Sequence, residues 1–128
     1  MFMNIMKNLM YIFGTHNDYE LIKMYFKENA FNTRNAIVIM ANNSAKESFC
    51  ISPGFILDKY ENGEWITVAG WGTQEMSTFI QPFGTIEFTI EWTKEYKELE
   101  SGRYRLLKEY TSNDGKGVHE NFKLEFEI

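Results

Sequence analysis

At 128 residues the chain has the size of one domain, large enough to bury a core without staples. Its 44% hydrophobic and 24% charged residues are ordinary for a globular protein, while 16% aromatic content leans towards half-buried β surface. A net charge of −5, with 13 basic residues scattered among 18 acidic ones, excludes an electrostatic nucleic-acid binder or a polybasic membrane contact.

The lone cysteine, Cys50, rules out an intramolecular disulfide, and its neighbours Phe49 and Ile51 predict a buried, inert thiol. A catalytic thiol would need a basic or histidine partner, yet His16 and His119 lie near opposite ends in polar contexts. The lack of disulfides is compatible with cytosol and does not exclude export.

In chain order, residues 1–18 read as a leader or a short amphipathic helix. Phe2, Ile5, Met6, Leu9, Met10 and Phe13 recur at helical spacing. The run Leu9 to Phe13 is too short for a signal peptide core or a membrane span, and no small-residue cleavage site follows. A decayed or truncated export signal is the alternative.

Residues 19–128 form the predicted domain. Ile22, Met24 and Phe26 alternate with Lys23, Tyr25 and Lys27, which predicts a strand followed by an Asn-rich turn over 29–35. The run 36–41 is continuously apolar and predicts a strand at a sheet centre, with Ala36, Val38 and Met40 facing the core. Asn42 to Lys46 forms the next turn. Phe49 to Tyr60 reads as a strand broken at Ser52-Pro53-Gly54, where a missing donor and a relaxed backbone predict a bulge or kink. Asn62-Gly63 then signals a two-residue hairpin returning through Trp65 to Val68.

The segment 69–84 is irregular but holds Trp71, Met76, Phe79, Ile80 and Phe83, so it folds back on the core or presents a patch. Phe79 and Ile80 are expected as core anchors. Thr85 to Trp92 alternates cleanly, with Ile86, Phe88, Ile90 and Trp92 on one side. A connector over 93–101 leads to a strand through Tyr110, and Phe122 to Ile128 alternates just as strictly. About seven strands without a long helix after residue 20 predict an all-β, antiparallel sandwich without a disulfide.

Three features together resemble the bacterial immunoglobulin-like domain family. They are Asn62-Gly63-Glu64-Trp65, the Ile86/Phe88/Ile90/Trp92 strand, and Leu99-x-x-Gly102-x-Tyr104-Arg105-Leu106, with the Asn42-Asn43-Ser44 turn in keeping. The resemblance spans roughly residues 19 to 128. It implies an immunoglobulin-like sandwich in which the Tyr104 hydroxyl turns back onto upstream backbone. Gly102 would supply the turn before it and Leu99 would plug the base, all three as structural residues. Leu106 stands where an antibody domain carries a disulfide cysteine, so packing alone would hold the sheets. Modules of this family are commonly exported or surface-located, an implication set against the absence of a clear signal peptide.

The chemistry of catalysis has no counterpart here: no phosphate-cradling glycine motif, nucleophile elbow or metal-like cluster stands in the sequence. Glu87, Glu91, Glu125 and Glu127 read as solvent-side charges that Arg103 and Arg105 could meet across strands. Asp114-Gly-Lys-Gly117 joins two strands and reads as a hairpin loop. The expected function is therefore non-catalytic, with no cofactor: a module that binds protein or glycan, or a spacer. The alternative is a small proteinase-inhibitor-like protein presenting a rigid loop from 70–83. A binding surface is expected in this loop, centred on Trp71 with Phe83 as a further candidate, because tryptophan buries a large area and keeps one polar handle.

Overall fold

The computed structural model describes residues 14–15, 22–51, 54–71, 78–112 and 119–128. The elements are β1 (Gly14–Thr15), β2 (Ile22–Phe31), β3 (Asn35–Asn42), β4 (Phe49–Ile51), β5 (Phe55–Glu61), β6 (Glu64–Trp71), β7 (Thr78–Ile80), β8 (Thr85–Glu91), α1 (Trp92–Glu95), β9 (Arg103–Ser112) and β10 (His119–Glu127). They form two antiparallel sheets facing each other, as predicted. The smaller runs β2-β3-β8, and the larger runs β1-β10-β9 and then onto β4 with β7 and β5 with β6.

Period-two alternation puts one apolar face of each strand between the sheets. Ile22, Met24 and Phe26 of β2, Ala36, Val38 and Met40 of β3, and Tyr104 and Leu106 of β9 are all buried there. Phe122, Leu124 and Phe126 of β10 complete the same layer. Asn62 and Gly63 form the two-residue turn between β5 and β6 with φ of 52° and 81°, the positive values such a hairpin needs.

The predicted break in the long third strand is real. β4 pairs with the far half of β9 (Ile51 opposite Tyr110) and β5 with its near half (Ile56 opposite Leu107). The register shifts by two residues across the break. Ser52 and Pro53 themselves lie outside the described residues, as do the predicted 113–118 loop, most of 1–21 and Met76.

Several local expectations need correction. Phe31, placed in a turn by its Asn-rich neighbours, is buried at the end of β2, because the strand loses register after Phe26 and swings back inwards. Trp92 leaves the strand and begins the short helix α1, although its indole is still buried. Phe79 is 49% exposed, because only Ile80 of that pair faces inwards. Cys50 lies opposite Phe79 on the outer face and is only half-buried.

The sandwich has two unlike ends. The base carries the 62–63 hairpin and the connector through Gly102. The crown carries the crossings 43–48 and 81–84, which pass between the sheets.

Candidate functional site

The crown crossing Gln81-Pro82-Phe83-Gly84 is a tight turn closed by the Gly84 amide donating to the Gln81 carbonyl at 2.8 Å. Pro82 presets the backbone of its second position. Gly84 permits the close approach, since a Cβ there would meet the Gln81 carbonyl oxygen at 2.9 Å. Phe83 is left at φ 60°, the left-handed region, at a cost of roughly 1–2 kcal/mol for a residue with a Cβ. Its ring gains little in return, being 71% exposed. A bulky residue in this conformation is a genuine outlier.

One buried side chain holds the turn in place. The Asn42 amide donates to the carbonyls of Ile80 (3.0 Å), Gln81 (3.1 Å) and Glu47 (2.7 Å), while its oxygen accepts from the Ser44 amide at 2.9 Å. The Asn42 backbone amide donates to Gly84 (2.9 Å), and the Phe83 amide donates to Ser44 (3.2 Å). Ser44 Oγ in turn accepts from the amides of Lys46 and Glu47. Both crossings are thus stitched into one unit, and Phe83 is presented from a fixed backbone.

Trp71, the centre of the expected surface, ends β6 opposite Phe55 and so faces the inter-sheet space. Its indole is half-buried, 5.8 Å from the Phe55 ring. The structure therefore separates the two candidates: Phe83 projects from the crown, and Trp71 walls the edge of the core. The rest of the candidate loop, 72–77, lies outside the described residues.

Beside Phe55 stands a residue the sequence reading overlooked. Lys108 is only 1% exposed, with its Nζ donating to the Gly54 carbonyl at 2.6 Å. The ammonium lies 4.2 Å from the Phe55 ring centre and 4.6 Å from that of Phe88. Burial lowers its pKa from 10.5 to about 8. The signal was available: Tyr104 and Leu106 face inwards, so parity sends Lys108 the same way. Its place at the strand break fits this role, because the ammonium bonds a backbone carbonyl where the ladder is interrupted.

On the outer face, Asp58 accepts from Arg105 Nε (2.8 Å) and Thr67 Oγ1 (2.8 Å), and the Arg105 guanidinium lies 4.4 Å from the Trp65 ring. The expected pairing of arginines with glutamates holds for Arg103 and Glu125 at 3.7 Å, whereas Arg105 chooses Asp58.

At the base, the Tyr104 hydroxyl donates to the Glu100 carbonyl at 2.8 Å, and burial pushes its pKa up to about 12. Gly102, at φ 157°, exchanges two backbone hydrogen bonds with Ile128, and a Cβ there would meet Lys59 Cε at 3.0 Å. Leu99 is buried, its amide bonded to Thr33.

The family model described as "Bacterial Ig-like domain" matches residues 18–127. The chain belongs to that family. Among solved structures, this Ig-like domain is similar to an X-ray structural-genomics target, with a TM-score of 0.52 and 14% identity over 85% of this chain and 88% of the other. A likeness at that identity speaks for the fold alone. It is also similar to a putative ApaA protein from Bordetella pertussis, with a TM-score of 0.49 and 16% identity over 82% and 86% of the two chains. No curated protein matches the chain by sequence. Among the described residues, no group of three or more His, Cys, Asp or Glu could hold a metal, and no helix is long and apolar enough to cross a membrane.

Proposed function

We propose that this Ig-like domain is a non-catalytic binding module that engages a protein partner by inserting Phe83 into an apolar pocket. The observation that carries this reading is the pairing of strain with exposure at one residue. Folding alone gives no reason to hold a phenylalanine at positive φ where solvent covers most of its ring. Binding does, because an aromatic ring presented from a fixed backbone loses little freedom on insertion. The Asn42 network supplies that rigidity.

The test is to replace Phe83 with a photo-crosslinking phenylalanine analogue and to illuminate the protein in extract of its source cells. The same analogue at Tyr25, an exposed strand position, serves as the control. The expected result is a discrete adduct at position 83 that excess wild-type protein competes away and Phe83→Ala does not. Labelling no stronger than at Tyr25, or equal competition by Phe83→Ala, contradicts the proposal. The inhibitor form of this reading has its own readout: the wild-type protein should slow at least one member of a protease panel.

A further inference from the structure

The edges of the two sheets are not equally protected. On the larger sheet, β6 is bulged opposite the Leu57/Asp58 step. On the smaller sheet, β2 carries Lys23 and Lys27 and loses register after Phe26. Short strands, bulges and lysines are the ordinary devices that stop an edge from pairing. β8 has none of them. It pairs with β3 in unbroken register from Thr85 to Glu91, without proline or lysine, and among the described residues nothing pairs with its other side.

The sheets are also unequal in width. The smaller sheet stops at β8, while the larger continues from β5 to β6, which the short helix α1 touches. The apolar side chains along this opening are only partly covered: Ile86 and Phe88 on β8, and Ala69 and Trp71 on β6. Ile66 is 40% exposed although it pairs with Lys59, which faces inwards over the Tyr104 ring. One more strand beside β8 would complete the ladder and cover these residues in one step.

We propose that β8 is an acceptor edge for an extended segment of a partner protein whose residues alternate apolar and basic. The apolar residues would enter the opening between β8 and β6. The basic ones would lie on the outer face beside Glu87 and Glu91, which are exposed and point to the same side. Glu87 already meets Lys27 at 3.0 Å from the β3 side, and Glu91 has no ion pair among the described residues. A second copy of this chain fits less well. Fully overlapped antiparallel β8–β8 pairing sets Glu87 and Glu91 opposite Thr89 and Thr85, with the glutamates of the two copies as diagonal like-charged neighbours, and the β2 edge is irregular. This inference is independent of Phe83.

The test uses labelled peptides the length of β8, 7 residues, alternating valine with lysine or valine with glutamate. Binding is read by fluorescence anisotropy and located by amide hydrogen exchange. The lysine peptide should bind about tenfold more tightly than the glutamate peptide, as two cross-strand charge pairs allow. Exchange should slow across Thr85–Glu91. Glu87→Lys/Glu91→Lys should invert the preference, with Glu91→Lys alone giving a smaller shift in the same direction should the double variant fold poorly. Equal binding of both peptides, no binding, an unaltered preference in the charge variants, or protection outside β8 would overturn it. So would concentration-dependent dimers that protect β8 without peptide, since the occupant would then be a second copy.

Discussion

At the base of the sandwich Phe126 sits among the rings of Phe26, Phe31, Trp92 and Tyr104, with centroid distances of 5.0 to 6.0 Å. Among the described residues of the crown, the corresponding closure falls to one buried asparagine amide and a turn that leaves its largest side chain in solvent. The base spends its aromatic residues on burial and its polar groups on closing the corner, as in the Trp92 indole donating to the Asn32 carbonyl at 3.1 Å. The crown holds a phenylalanine in an unfavourable conformation and covers little of it. A region shaped only by stability resembles the base. The crown departs from that pattern, which supports the binding role proposed for it.

The comparison can be broken most forcefully at the base. Phe126→Ala removes the ring that all the others touch and should cost about 3–5 kcal/mol in denaturant unfolding. A loss below about 1 kcal/mol would mean that this end does not close the core. At the crown, Asn42→Ala strips buried carbonyls and the Ser44 amide of their partner and should cost about 3 kcal/mol. That variant should also speed amide exchange in both crossings while leaving β9 and β10 protected.

Smaller effects sharpen the contrast through pH. Tyr104 ionises near 10 in the unfolded chain and at about 12 when folded, so the native state keeps a proton that the unfolded state loses. Stability should therefore fall as pH rises from 10 to 12, and Tyr104→Phe should remove that fall at a cost of about 1 kcal/mol at neutral pH. Lys108 works in the opposite sense. The unfolded ammonium holds its proton to 10.5, while the folded one releases it near 8. Its contribution to stability should rise between pH 8 and 10.5, and Lys108→Met should flatten that rise. Urea midpoints measured across this range check both.

Much of the fold was legible because it is written in local alternation. β2, β8 and β10 announce their buried faces by period two, and Asn62-Gly63 announces its hairpin. What escaped depends on partners distant in sequence. The hub role of Asn42 needs Ile80 and Gln81, 38 and 39 residues away, and nothing in Asn42-Asn43-Ser44 beyond a turn signal points to them. Phe31 looked like part of a polar turn because its burial follows from a loss of register, which composition does not encode. Phe79 was misplaced because a three-residue strand shows too little alternation to reveal its inner side. Lys108 was readable by parity, but charge argues against burial until the carbonyl at the strand break is known. Of the candidate site, Phe83 was visible as an apolar residue in an irregular stretch. Its strained backbone was not, since turn statistics favour glycine or asparagine at that position.

The central claim, that the crown holds Phe83 at a cost to stability, is tested most directly by the melting temperature of Phe83→Asn. Asparagine tolerates the left-handed conformation far better, and the mostly exposed ring forfeits little burial when removed. The account predicts a variant more stable than wild type by about 1 kcal/mol, a rise of a few degrees. A melting temperature several degrees below wild type would show that the ring supports the fold, and would contradict the claim.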